Sequence, residues 1–412
     1  MIKKSKEASI KFIFVTILLD VVGFGIIIPV MPTLILHYLP AGSSISDAAQ
    51  YGAWLIFSYA ITQFIFSPII GNFSDRFGRR PVLFASLFSF CFDYLLLAFA
   101  PNLYWLFLGR IIAGISGASI TTATAYIADI SNEKNRTKNF GMLGAAFGIG
   151  FIIGPVIGGI LGKFGVKMPF IFAAFLTLIN AGYGYFILPE SLNKRHRRRF
   201  KWKNANPISA FKQIAKYPSI KILVISYFIL YVASHAIHSN WSFFNIEKFN
   251  WTPDTIGLSL GIVGLLVGLV QGVLVRYINP KLGNEKSIYI GLLLYALGML
   301  LFSIATKSWM MFLFLVPYCL GGICGPALQS SISSKIPPNE QGAIQGLLTS
   351  IISVTTIIGP LIMTNTFAFF TKDKNNYYFP GAPFLLGFIL LMPVAKTGLQ
   401  LRQLYPIPEK NV

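Results

Sequence analysis

PESLNKRHRRRFKWKNANP, residues 189–207, is the longest polar interruption in an otherwise apolar chain, and its position decides the fold. Six apolar stretches precede it, near 12–37, 51–71, 81–100, 104–127, 139–161 and 169–188. Six follow, near 220–238, 255–277, 287–306, 309–330, 342–366 and 381–399. The last is the weakest, with Pro393 and Lys396 inside it. Runs of about 20 apolar residues have the length that crosses a bilayer as α-helix. In hydrocarbon only helices and closed barrels satisfy every backbone group. The 412 residues are 54% hydrophobic and only 12% charged, too little charge to cover a water-facing surface. The expected class is an all-α polytopic membrane protein of twelve transmembrane helices in two pseudo-symmetric six-helix bundles. The bundles are residues 1–188 and 220–412, joined by a basic linker at 189–219.

Charge orients this arrangement. Of 34 Lys and Arg, 27 fall in segments that the twelve-span map places on one side, six on the other, and Arg110 within a span. Such asymmetry marks the cytoplasmic side and puts both termini there. Lys3, Lys4, Lys6 and Lys11 precede an apolar run with no small-residue cleavage site, so the start reads as a retained helix and not a signal peptide. The net charge of +20 is thereby explained by topology, without a nucleic-acid partner. The linker reads as a cytoplasmic connection near anionic headgroups. Cys91, Cys319 and Cys324 lie inside apolar runs without metal or disulfide spacing. No nucleotide-binding loop or nucleophile motif is present, so neither an enzyme nor a cofactor is expected, and no metal. The two halves also echo each other: GFIIGPVIGG in the fifth span recurs weakly as TTIIGPLIMT in the eleventh, with Pro155 and Pro360 in register. Paired six-helix halves around a cavity are a transporter architecture.

Three groups of residues carry mechanism. In GNFSDRFGRRP, 71–81, Gly71 and Gly78 permit close helix approach and a tight turn, while Asp75, Arg76, Arg79 and Arg80 place opposite charges at two helix ends. A short charged loop of this kind can latch one conformation and release another. Within the spans, Asp20, Gln63, Asp93 and Arg110 are the polar candidates, and Asp129 closes the fourth span. Charges at such depth are costly and should face a wet cavity or one another. Carboxylates respond to burial and to a neighbouring Arg in opposite senses, so movement between two environments can load and unload a proton. In the fifth span, Gly141, Gly144, Gly148, Gly150, Gly154, Gly158 and Gly159 set small residues on successive turns, suited to close backbone approach. Pro155 favours a kink there.

The 71–81 loop resembles the signature loop of the major facilitator superfamily. LLDVVGFGIIIPVMP (18–32), GRIIAGISGASITTATAYIADIS (109–131) and FGMLGAAFGIGFIIGPVIGG (140–159) resemble helices of the bacterial tetracycline/proton antiporters. The likeness is dense over 12–165, then thins, although 309–329 and 342–361 still match. It implies that Asp20, Asp93, Arg110 and Gln63 serve proton coupling and substrate, with Asp75, Arg79 and Asp129 at gating positions. It also implies that the helix of Gly150, Gly154, Pro155, Gly158 and Gly159 forms a seam that opens during alternating access. The second half departs from the family: its ninth-helix acid reads as Tyr295, an eighth-helix histidine as Val267, and no Asp or Glu lies within spans seven to twelve.

His235 and His238, three apart on one helical face, are replacement candidates for proton or metal chemistry in that half, or interfacial residues. Trp54, Trp105, Trp241, Trp251 and Trp309 fall near span ends on the non-cytoplasmic side, as an aromatic belt predicts. Tyr231, Phe243, Phe244 and Tyr295 are candidates for lining a cavity. The resulting expectation is a proton-coupled exporter of an amphiphilic small molecule in a bacterial inner membrane, acting as a monomer. The alternatives are a proton-linked transporter, or importer, of a metabolite or metal chelate, and a membrane sensor without transport.

Overall fold

The computed structural model describes residues 2–117, 119–131, 136–192, 197, 217–336, 341–372 and 377–404. Most of the basic linker (193–196 and 198–216) lies outside the described residues. The first half contains α1 (Ile2–Ile27), α2 (Met31–Tyr38), α3 (Ile45–Phe77), α4 (Arg79–Phe99), α5 (Leu103–Gly117), α6 (Ser119–Ile130), α7 (Arg136–Gly162) and α8 (Met168–Ile187). The second contains α9 (Lys221–His238), α10 (Trp241–Phe249), α11 (Pro253–Leu269), α12 (Val275–Ile304), α13 (Ser308–Leu320), α14 (Cys324–Ser333), α15 (Gln341–Thr371) and α16 (Ala382–Leu404).

Nine helical runs among the described residues are long and apolar enough to cross a membrane, ten when α1 and α2 count as one span bent by 53°. The twelve stretches expected from sequence all lie on helix. The difference in count has two sources: the stretches 255–277 and 287–306 share one run from Pro253 to Ile304, and the last stretch is too short an apolar helix to count. That run is broken at Gly283, whose φ of 75° and ψ of 164° no helix contains. The last span has only a short apolar core, Ala382–Val394. Val270–Leu274 winds as a π-helix between α11 and α12, a local insertion common near functional regions.

Helix ends follow local chemistry. Pro32 and Pro169 sit in the first turns of α2 and α8, where no backbone donor is lost. Asn250 closes α10 in the left-handed conformation, its N–H bonded to carbonyls of Asn245 and Ile246. Pro68, Pro155, Pro317 and Pro360 lie inside helices, as neighbouring helices permit in a membrane.

The chain divides into two compact units. One comprises Met1–Ser44, Trp54–Pro207 and Trp251–Gly264; the other comprises Ile45–Ala53, Ile208–Asn250 and Leu265–Val412. Two helix starts therefore leave chain order. In the second unit, the first turn of α3 meets the end of α15, where Ser46 Oγ lies 2.6 Å from Thr371 Oγ1 and Asp47 pairs with Lys372 at 3.9 Å. In the first unit, α11 lies against α7: methyl groups added at Gly257 or Gly264 would strike Pro155 or Ile152.

The first unit packs Phe12, Ile13 and Ile17 of α1 against Leu83, Tyr126, Ile127 and Ala146. Asn180 of α8 donates to Thr16 Oγ1 of α1 at 3.1 Å, satisfying two polar groups where water is scarce. The second unit has an aromatic core in which Phe302 meets Trp241, Phe384 and Tyr318.

That core corrects part of the aromatic assignment. Trp54, Trp105 and Trp309 are exposed, as a belt requires, but Trp241 and Trp251 are only 2% and 6% exposed. Phe243 and Phe244 are likewise buried rather than cavity-lining; Phe244 packs edge-on against Phe384 at 4.8 Å. For Trp241 and Phe244 the cause is α10, an extra short helix that folds its aromatic face onto α12 and α16 instead of presenting it to lipid.

Candidate functional site

Helices α1, α3, α4, α5, α6 and α7 of the first unit enclose a cavity of about 180 Å³ lined by Asp20, Tyr59, Asp93, Tyr94 and Arg110. Phe24, Phe90, Phe147 and Phe151 complete much of its apolar wall. Asp93 and Arg110 meet directly, Arg110 Nη2 donating to Asp93 Oδ2 at 2.6 Å. Asp93 is 0% exposed, and Arg110 is also buried. One carboxylate oxygen, Asp93 Oδ1, and Arg110 Nε are buried without a hydrogen-bond partner among the described residues. The pair is thus neutral as a whole yet retains an unused acceptor and an unused donor.

Gly109 explains how the acid fits. A methyl group there would lie 2.7 Å from Asp93 Oδ1, so α5 must be bare opposite the carboxylate, one residue before the arginine that pairs with it. Gly23 of α1 does the same for Tyr94, whose hydroxyl would collide with any side chain at 23. Asp20 is half-buried on the cavity wall and, among the described residues, has neither a hydrogen bond nor an ion pair. Gln63 does not touch Asp20, Asp93 or Arg110 by hydrogen bond; its Nε2 donates to Tyr59 Oη at 3.2 Å, one turn earlier on α3. Tyr59, Tyr94 and the phenylalanines escaped the sequence reading, since aromatic residues abound in every span. The signals available were Tyr59 four residues before Gln63 and Tyr94 beside Asp93.

The 71–81 loop is built around Arg79, which is buried. Its guanidinium pairs with Asp75 at 2.6 Å and with Asp129 of α6 at 3.2 Å, and it donates to Ser74 Oγ at 2.5 Å. Ser191 donates to the same Asp129 oxygen at 2.9 Å. Gly78 takes φ 109°, a conformation other residues rarely adopt, and starts α4 with no side-chain cap of its own. Glu190 supplies the cap from 111 residues away: its carboxylate accepts the N–H of Arg79 at 2.9 Å and that of Arg80 at 3.3 Å. Sequence reading placed Glu190 in the linker; an acid directly after an apolar run was the available signal. Gly71 makes no close approach, because a methyl there would find only Thr121 Oγ1 at 4.0 Å. Arg76 is exposed and lies over Phe77 at 5.0 Å. Glu190→Ala should cost about 1 kcal/mol through the lost cap and speed hydrogen exchange at the start of α4. Unchanged exchange there would refute the capping role.

On α7 the glycines divide by face. Methyl groups on Gly150 and Gly154 would lie 2.7 Å from Val21 Cγ1 and 2.8 Å from Val22 O, and one on Gly158 would strike Ile26 O, so these three form a seam with α1. Gly159 faces α11, where a methyl would lie 2.6 Å from Pro253 O, while Pro155 meets α11 with its carbonyl, at Gly257, and α1 with its ring, at Gly25. Gly148 meets nothing within 4 Å. Gly141 and Gly144 are on α7, but their packing lies outside the described residues.

In the second unit, His235 packs on α15 at Gly359, and its ring centroid lies 6.0 Å from that of His238. Tyr295 stands edge-on to Tyr318 at 4.8 Å. No hydrogen bond or ring contact among the described residues joins either histidine to Tyr295. Nor do three His, Cys, Asp or Glu converge as a metal set among the described residues.

Membrane-length helices around a cavity that holds a buried acid–base pair are an arrangement found in polytopic membrane transporters. The chain is a member of the Major Facilitator Superfamily, matching that family over residues 13–360 and 223–400. It is 37% identical to the class C tetracycline resistance protein of Escherichia coli, over 96% of this chain and 98% of that protein. It is 39% identical to the class E protein of the same organism, over 97% of each. Multidrug resistance protein 2 of Bacillus subtilis (strain 168) is 32% identical over 94% of both chains. In fold, it is similar to a bacterial homolog of the human lysosomal transporter Spinster, with TM-score 0.78 and 14% identity over 97% of each chain. The human organic anion transporter MFSD10 is similar with TM-score 0.69 and 22% identity, over 95% of this chain and 99% of that one.

Proposed function

We propose that this protein is a proton-coupled exporter of an amphiphilic small molecule, driven by a proton gradient across a bacterial inner membrane. The observation that carries the reading is the cavity with Asp20 unpaired and Asp93 held by Arg110, walled by aromatic rings. A carboxylate without a partner in a partly apolar cavity is costly when ionised, so it gains from a proton or from a cationic ligand. The Asp93–Arg110 pair offers a second such choice: protonation of Asp93 or approach of a ligand releases the guanidinium to other acceptors. Aromatic walls suit the apolar body of an amphiphile, and their faces favour cationic groups. The tetracycline and multidrug resistance names of the relatives support a drug as the substrate class.

In the cycle we infer, residues 1–188 and 220–412 are two halves that rock against each other, joined by 189–219, with both termini in the cytoplasm. Arg79, held by Asp75 and Asp129, latches one state, and the glycine seam of α7 allows close sliding. The chain works as a monomer. Proteoliposomes with a pH dye inside test the coupling: tetracycline, or an amphiphile found by thermal shift, should move protons against its own flux. Substrate movement with no proton movement, or neither, would defeat the proposal.

A further inference from the structure

A second concavity lies on the outer face of the first unit, between the first turns of α4 and the end of α8, with a volume of about 560 Å³. Phe84, Phe88, Leu178 and Phe186 are among its walls, and Gly182 forms part of one side. Phe88 is 58% and Phe186 86% exposed, so the groove opens outward, where a membrane protein meets lipid. Among the described residues its only charged wall residue is Arg80, at the loop end.

The guanidinium of Arg80 has no carboxylate within 4 Å among the described residues, unlike those of Arg79 and Arg110. Its Nη2 donates to the carbonyl oxygen of Tyr185 at 2.8 Å, and its carbon lies 5.4 and 5.6 Å from the ring centres of Phe84 and Tyr185. Nε is buried without a partner among the described residues. Glu190 accepts the backbone N–H of Arg80 and pairs with Arg197 at 3.9 Å, not with the Arg80 guanidinium. An uncompensated cation therefore heads a groove that is apolar from there on. From Arg80 to Phe88 the helix rises about 12 Å, the depth of several methylene groups of an acyl chain.

We propose that this groove binds one anionic glycerophospholipid, its phosphate on Arg80 and an acyl chain along Phe84, Phe88 and Leu178. Charge complementarity selects the headgroup: a zwitterionic lipid brings its own cation and leaves Arg80 less compensated, while free phosphate gains nothing from the aromatic wall. The site differs from the cavity of Asp20 and Asp93 and shares no residue with it.

Native mass spectrometry of the full chain in detergent, titrated with phosphatidylglycerol, phosphatidylcholine of equal chains, or inorganic phosphate, tests the site. The wild type should retain phosphatidylglycerol about fivefold more tightly than phosphatidylcholine. Arg80→Gln should remove that preference. Gly182→Leu should weaken retention of both lipids about tenfold by filling the groove, and should fold normally, since a methyl at 182 meets nothing within 4 Å. Phosphatidylglycerol binding unchanged in Gly182→Leu would overturn the proposal and assign the lipid to the basic linker. Equal retention of the two lipids by the wild type, or binding of phosphate alone at the same strength, would overturn it too.

Discussion

Asp93→Asn is expected to reduce proton-coupled transport to background while the protein remains inserted and monodisperse. The carboxylate is fully buried and held at 2.6 Å by Arg110. Removing one partner of a buried ion pair costs about 3–5 kcal/mol when the other is left unpaired. Asparagine keeps the shape of the side chain and one acceptor oxygen for Arg110, so the loss in stability should fall below that range. It cannot take up or release a proton. The double variant Asp93→Asn/Arg110→Gln separates the two effects, because it removes both charges at once. Thermal unfolding should show it closer to wild type than Arg110→Gln alone, which strands the carboxylate, while substrate-driven pH change stays absent. Transport at the wild-type rate by Asp93→Asn would sink the role assigned to this residue.

Gly158→Val is expected to destabilise the first unit by about 3 kcal/mol, the upper end for overpacking. An added Cβ would strike the backbone carbonyl of Ile26 and lie 2.7 Å from its Cα. Backbone cannot rotate aside as a side chain can, so α7 would have to move away from α1. The loss of contact would extend along the seam to Gly154 and Gly150. Gly148→Ala is the matched control: it meets nothing within 4 Å and should change stability by less than about 0.5 kcal/mol. Fluorescence-detected size exclusion after heating would rank the two variants. Equal melting behaviour would mean that α7 does not rely on close approach.

Much of the candidate site was legible in the sequence because depth and charge are local properties. An aspartate twelve residues into an apolar run needs a reason wherever the run packs, and Asp20, Asp93 and Arg110 were found that way. The 71–81 loop was equally visible, as four charges and two glycines in a short segment between two spans. Other roles depended on rotation about helix axes. Gln63 bonds to Tyr59 of the cavity wall and to neither acid nor Arg110, and His235 packs on Gly359, apart from Tyr295. Trp241 sits at a span end like a belt residue, yet α10 folds it inward onto Phe302.

From the sequence alone came the helical membrane class, the twelve apolar stretches, the charge asymmetry and the list of costly buried residues. These follow from free energies of transfer, which add along the chain. Tertiary structure alone decided which charges meet. Arg110 chose Asp93 and left Asp20 unpaired. Glu190 crossed 111 residues to cap α4, and Arg80 was left without a counter-charge beside an outward groove. Those outcomes depend on helix rotation and crossing, set by where glycines let backbones approach, and such contacts have no period that a one-dimensional pattern can show.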